Sequence, residues 1–379
     1  MIKWFSKYGI VILLFNTILM SIKETRYFAD QLFLIIMFLF SFLIILNPKQ
    51  VKYVILHKSF LFLTIINCIN FIYFIIIHNI NDVEAIKYLL ARTVQFSIIC
   101  ISIYYNYEYY KERFFRLLIN VIIFIVIISL ILDPFFISGR YSGVIWNPNM
   151  LSSLVMFGFA FLFFKNSNSK DFWYYLKLFL LLLIGFSSGS RSSIVAIVIA
   201  FLVKYGFSKR NIFYSSLVLL ILLVFSLISY ESSIDRFLSQ GLFSDRIIQW
   251  QFALESVKNK FFLGYGLDKY AFIDDSLVSE SIKDRLVGAH NGYLAILTQY
   301  GFFIGSFVVF IIIRKSLDLI IFFNKYKGFQ RVYLYVIIFT LIASIYETMF
   351  TGINEFNTIL FWFSLSMLSY SKYKDSNEV

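Results

Sequence analysis

The chain has 379 residues, of which 60% are hydrophobic and only 15% charged; a soluble protein of this length could not cover itself with so little polar surface. The formal charge of +12 does not indicate a nucleic-acid partner, because the basic residues of a polytopic protein collect in its cytoplasmic loops. Composition therefore excludes a soluble enzyme and specifies an integral membrane protein.

Lys3 and Lys7 flank the start of the first apolar run, "YGIVILLFNTILMSI". The run has the charge pattern of a signal peptide but no small-x-small cleavage site, and it reads as the first span. A window of about 20 apolar residues predicts about twelve membrane helices. They lie near 5–22, 28–46, 60–77, 88–105, 114–132, 149–164, 173–187, 192–207, 211–230, 290–313, 332–350 and 354–370. With the N-terminus inside, the cytoplasmic segments hold most of the basic residues, among them Lys49, Lys52, Lys111, Arg113, Arg116, Lys165, Lys204, Lys325, Lys327 and Lys372. The short outer loops hold Lys23, Arg26, Lys87, Arg140 and Arg191. This bias places both termini in the cytoplasm.

Residues 231–289, between the ninth and tenth spans, carry charges of both signs and form a small helical outer lobe within a single membrane domain covering 1–379. Inside it, "SDRIIQWQFALESVKNK" at 244–260 predicts a helix with Ser244 as N-cap. "GYG" at 264–266 would end that helix, and a second short one is expected over 276–286. Cys68 and Cys100 sit in apolar runs without metal or redox spacing and read as structural.

Four stretches then fall on the outer side: "SGRYSGVIWNPN" (138–149), "SSGSRSS" (187–193), Arg246 in the lobe helix, and "AHNGYLAIL" from 289. Arg140 and Arg191 run against the charge rule that the other outer loops obey. Arg191, in a tight serine-rich turn, either snorkels to lipid headgroups or holds a phosphate at the mouth of the bundle. Arg246 sits in a first helical turn, where the dipole disfavours a cation; either a carboxylate such as Asp245 pairs with it or a bound anion does. His290 starts a span, where imidazolium is disfavoured, so it is either a helix-capping residue or a neutral proton acceptor. Asn147 and Asn149 flank Pro148 as caps or ligands. Arg92, about one turn inside the fourth span, is costly unless it faces a polar cavity and is a further candidate for the same site. "GFFIG" at 301–305 reads as close helix packing. His57, His78 and His290 are scattered and suggest no metal centre, and adjacent Asp274 and Asp275 read as solvated.

The ordered set "GVIWNPNMLSSLVMFG", "SSGSRSSI", "SDRIIQWQFALESVKNKFFLGYGLDKY" and "GAHNGYLAILTQYGFFIG" resembles the membrane family of O-antigen ligases and O-antigen or capsular polysaccharide polymerases. The resemblance covers about residues 138–306. It implies an all-α polytopic glycosyltransferase of C-type (GT-C-like) architecture in the bacterial inner membrane, active on the periplasmic face. It further implies transfer of a growing glycan from undecaprenyl-pyrophosphate to a lipid-linked repeat unit, with inversion, no cofactor and no metal. Donor and acceptor are then undecaprenyl-pyrophosphate-linked oligosaccharides, and a chain-length regulator is a candidate partner. By that likeness Arg191 and Arg246 hold the pyrophosphate and His290 acts on the attacking hydroxyl as catalytic residues. Arg140, Asn147, Asn149, Arg92 and Asn291 are candidate substrate-binding residues by their own position on the outer side. A ligase acting on lipid A-core is the alternative, and a flippase or transporter for a lipid-linked glycan is the rival of another class.

Overall fold

The computed structural model describes residues 2–136, 140–165, 171–206, 208–211, 213–214, 216–217, 244–269, 272–274, 276 and 288–377. The apolar runs become helices in the expected order: α1 (Ile2–Ser21), α2 (Arg26–Leu46), α3 (Pro48–Ile55), α4 (Leu61–Ile77), α5 (Val83–Glu108), α6 (Phe114–Leu132), α7 (Pro148–Phe164), α8 (Phe172–Ser187) and α9 (Arg191–Tyr205). Then come α10 (Ser244–Asn259), α11 (Gly292–Phe323), α12 (Gln330–Ala343) and α13 (Phe356–Asn377). Helices are what a bilayer demands, since each satisfies its own backbone polar groups. Among the described residues there is no strand, only an isolated bridge between Ile22 and Ile145.

By length and composition, four described helices suffice to cross a membrane: Arg26–Leu46, Val83–Lys111, Phe114–Leu132 and Gly292–Phe323. Shorter apolar helices cover Ser6–Ser21, Leu61–Ile77, Pro148–Phe164, Phe172–Ser187 and Gln330–Ala343. The chain is a multi-pass, all-helical membrane protein in which several expected spans are realised as shorter helices. The expected span at 211–230 and the second lobe helix lie almost wholly outside the described residues. So do residues 138 and 139 of the first outer loop.

Helix starts follow local chemistry. Asp82 caps α5, its Oδ1 accepting from the Ala85 amide at 3.1 Å. Asn147 caps α7 with Pro148 at the first position, and its Oδ1 accepts from the Asn149 amide at 2.8 Å, as "NPN" predicts. The lobe helix α10 spans Ser244–Asn259, with Ser244 as its first residue rather than its N-cap, and it ends ahead of the expected stop at 264–266.

Two expectations are corrected. The span expected at 332–350 ends at Ala343 as α12, and residues 344–355 form a polar turn before α13. "GFFIG" is not a continuous packing stripe: Gly301 takes φ +76° and breaks α11. At that break the Phe302 amide donates to the Phe261 carbonyl at 2.7 Å, and Tyr265 and Gly266 donate to Thr298 and Gln299 at 2.9 and 3.1 Å. A Cβ on Gly301 would lie 2.5 Å from the Phe262 carbonyl oxygen. The lobe is thus wedged into the interruption, and glycine is required there by both φ and space. Gly305 does mark a close approach, its would-be Cβ lying 3.0 Å from the Ile296 carbonyl oxygen and the Leu297 Cα of the same element.

The core is lined by aromatics, such as Tyr333 against Phe115 (4.8 Å between centroids) and Phe114 against Phe363 (5.4 Å). Lipid tails are as apolar as these side chains, so dense packing rather than exclusion of water from apolar surface holds the bundle.

Candidate functional site

Helices α7, α9, α11 and α13 all start at one end of the bundle, and α12 finishes there. A cavity of about 400 Å³ opens between them, lined among others by Asn147, Asn149, Ser192, His290, Glu347 and Glu355. Helix N-termini are positive ends, so their convergence favours an anion.

Glu347 is the hub of the cavity. The backbone leaves α12 through a tight turn, with the Tyr346 and Glu347 amides both donating to the Ala343 carbonyl, at 3.0 and 2.8 Å. The Glu347 side chain, 21% exposed, then meets three partners from three elements. Arg246 Nη2 of α10 donates to Oε1 at 2.7 Å. Asn149 Nδ2 donates to Oε1 at 3.3 Å. His290 Nδ1 lies 3.3 Å from Oε2. The Arg246 guanidinium also sits over the Tyr346 ring, 5.3 Å from its centroid. The carboxylate that pairs with Arg246 is therefore Glu347, about a hundred residues downstream; the Asp245 side chain lies outside the described residues.

The "HN" pair divides its work. His290 has φ +37°, uncommon for a residue with a Cβ, and its carbonyl accepts from Trp250 Nε1 of the lobe helix at 3.3 Å. Asn291 is buried and caps α11, its Oδ1 accepting from the Tyr293 and Leu294 amides at 3.0 Å each. Its Nδ2 donates to the Ile345 carbonyl at 2.9 Å, and the Gly292 amide donates to Ser344 at 2.7 Å. One residue thus ties the His290 helix to the turn carrying Glu347.

Arg191 opens α9 directly beside the cavity-lining Ser192. Its turn is built from hydroxyls: Ser152 Oγ lies 2.7 Å from Ser193 Oγ and 3.2 Å from Ser192 Oγ, and Ser190 Oγ lies 2.5 Å from Ser192 Oγ. Arg140 is exposed at φ +35°. It lies over Gly189, whose would-be Cβ is 3.4 Å from Arg140 Cγ, and the Tyr141 amide donates to Ser187 at 2.9 Å. Both outer arginines therefore belong to one loop cluster at the cavity end.

Arg92 lies behind the cavity wall, 2% exposed. Its Nη2 donates to the Thr351 and Gly352 carbonyls at 2.6 and 3.2 Å, within the turn that carries Glu347. Glu355, half-buried at the cavity, ends that turn; Thr358 Oγ1 donates to its Oε2 at 3.2 Å. Burial pushes the Glu355 carboxyl up to about 7; the Thr358 bond and the Arg92 charge oppose the rise and Glu347 adds to it.

Away from this cavity, His78, Asp82 and Asp268 bring ligand atoms within 4.8 Å of one another. Both His78 nitrogens are already engaged: Nδ1 with Asp82 at 2.5 Å, and Nε2 accepting from the Leu267 amide at 2.9 Å. The group latches the lobe segment onto the α4–α5 turn. The Ala85 amide, ahead of His78, holds the Asp82 carboxyl below the usual range.

Glu347 and Glu355 escape a reading of the sequence because both fall within expected spans. Their signal is nonetheless present, since an acid inside an apolar segment is a functional candidate by default.

Fold and cavity together define a multi-pass membrane protein with a chamber at one end of its bundle that is lined by Glu347, Glu355, His290 and several amides and hydroxyls, with Arg246 paired to Glu347. Residues 176–310, from α8 into α11, match a family model described as O-antigen ligase; no curated protein matches the chain. That match supports the chain's place in the O-antigen ligase and polymerase family, as its ordered motifs suggest. The family indicates a ligase- or polymerase-type function, a membrane glycosyltransferase-like enzyme and lipid-linked polysaccharide substrates. The matched segment contains Arg191, Arg246, His290 and Asn291; Arg140, Asn147, Asn149 and Glu347 lie outside it.

Proposed function

We propose that this chain is a surface-polysaccharide polymerase of GT-C-like architecture in the bacterial inner membrane. Both termini are cytoplasmic, the chamber faces the periplasm, and a growing glycan passes from undecaprenyl-pyrophosphate to a lipid-linked repeat. The observation that carries this reading is the convergence of Arg246, His290 and Asn149 on the Glu347 carboxylate, which lines one cavity with His290, Asn149 and the Ser192 next to Arg191. Arg246 is held at the cavity by its pair with Glu347, where a guanidinium can bind an oxyanion in a bidentate way.

In the reaction, the acceptor hydroxyl attacks the anomeric carbon while the bond from that carbon to the pyrophosphate oxygen breaks. A carboxylate at Nδ1 fixes the Nδ1–H tautomer of His290 and leaves Nε2 to take the hydroxyl proton. Arg191 and Arg246 hold the departing undecaprenyl pyrophosphate, neutralising charge as it develops. One displacement inverts the anomeric centre, and the guanidinium groups supply the positive charge without a metal. Arg140 and Asn149 bind the donor at the rim. Asn147, Asn291 and Arg92 act by positioning the elements around it. A transporter would need charges spaced along a path through the bundle, whereas Arg92 is taken up by the carbonyls of a turn.

The test is complementation of a gene deletion with His290→Ala, Arg191→Ala or Arg246→Ala, followed by electrophoresis of the surface polysaccharide. A polymerase leaves the core capped with a single repeat; a ligase leaves bare core with polymer on undecaprenyl, which would replace this reading. A normal ladder from all three variants would remove the proposed site.

A further inference from the structure

At the opposite end of the bundle a larger cavity, of about 550 Å³, opens beside α6, the end of α7, the start of α8 and the α11–α12 connection. The two cavities lie at the two ends of α7: Asn149 and Met150 line one, Phe161 and Lys165 the other. Seventeen residues of helix separate the ends by about 25 Å, close to the thickness of a bilayer's hydrocarbon core.

The second cavity is lined by Lys111, Arg116, Lys165, Lys177 and Lys327, and no carboxylate is among its described lining residues. Lys111 is paired with Glu108 at 3.6 Å and lies over the Phe329 ring. Lys165, Lys177 and Lys327 share this space with no carboxylate among its described lining residues, an arrangement that an anion joining them would stabilise. The rest of the wall is apolar, from Ile119, Leu162, Phe164 and Val332. Next to Lys177, α8 exposes Trp173, Leu176 and Phe179. A tryptophan at a helix start beside lysines marks the depth of the membrane interface. Basic side chains, an apolar wall and an exposed apolar helix face alongside match a headgroup and its acyl chains; a free phosphate would use only the first of these.

We infer that this cavity is a binding site for an anionic phospholipid, its phosphate held by Lys165, Lys177 and Lys327 and its acyl chains lying along the exposed face of α8. The site is separate from the glycan-transfer chamber, and its occupancy does not depend on the activity proposed above. Bound lipid would tie the α7–α8 and α11–α12 connections together at that end of the bundle.

The experiment is native mass spectrometry of the purified full chain with phosphatidylglycerol, cardiolipin or phosphatidylcholine added. The wild type is expected to keep one anionic lipid per chain saturably, in preference to phosphatidylcholine. The triple variant Lys165→Gln, Lys177→Gln, Lys327→Gln should lower anionic-lipid retention by about tenfold or more. The corresponding triple Lys→Arg variant should retain it, and His290→Ala should leave it unchanged. If the Gln triple variant does not purify folded, Lys177→Gln and Lys327→Gln are measured singly, and unaltered retention in both would overturn the assignment. Equal retention of anionic and zwitterionic lipid would also overturn it. So would displacement of the lipid by millimolar inorganic phosphate, which would make the site one for a free anion.

Discussion

Replacing Glu347 with Gln tests the centre of the site. The carboxylate bonds Arg246 at 2.7 Å and lies 3.3 Å from both Asn149 Nδ2 and His290 Nδ1, with only about a fifth of its side chain exposed. Glutamine keeps shape and an acceptor oxygen but removes the charge. A hydrogen bond to a charged group contributes about 1.5–3 kcal/mol net, and the Arg246 bond is short and largely shielded from solvent. Losing it frees the guanidinium and removes the partner that sets the His290 tautomer. A loss of about 2.7 kcal/mol in the transition state corresponds to on the order of a 100-fold lower rate. Complementation with Glu347→Gln should therefore give a ladder collapsed toward short chains, and purified enzyme should show the rate loss on a lipid-linked substrate. Because Arg246 and Glu347 act as a unit, adding Glu347→Gln to Arg246→Gln should cost little more. Near-wild-type activity of Glu347→Gln, or full additivity of the two changes, would refute the reasoning.

Gly301→Ala should destabilise the protein by about 2 kcal/mol or more, since φ +76° is unfavourable for alanine and its Cβ meets the Phe262 carbonyl; thermal unfolding in detergent reads this as a lower midpoint. Asn291→Ala removes a cap and the link to Ile345, and should cost about 1–2 kcal/mol with reduced activity, whereas Asn291→Asp keeps the cap and recovers part of the stability. Glu355 gives a pH dependence. Its folded-state pKa is raised to about 7, so its contribution is fully present below the unfolded value and is lost as pH rises through about 7. The unfolding midpoint should fall between pH 5 and 8, and Glu355→Gln should flatten that fall; an unchanged slope would contradict it.

Several residues of the candidate site were legible in the sequence because membrane proteins advertise charge. Arg191, Arg140 and His290 stood out at the ends of apolar runs, and Asn147 followed from capping rules that act over a few residues. Segment 344–355 was not legible, because hydropathy averages over a window that absorbed Glu347 into one span and Glu355 into the next. The role of Gly301 was also hidden: small residues spaced by four usually mean helix contact, and only the insertion of the lobe against 261–266 turns this glycine into a break.

By itself, then, the sequence determined the membrane class, the order of the described helices and the polar residues at their ends, because hydropathy, capping and charge bias are local properties. Tertiary structure decided which of those residues meet. Arg246, Asn149 and His290 converge on Glu347 across separations of 101, 198 and 57 residues. Contacts of that range arise from helix packing, which no short stretch of sequence encodes.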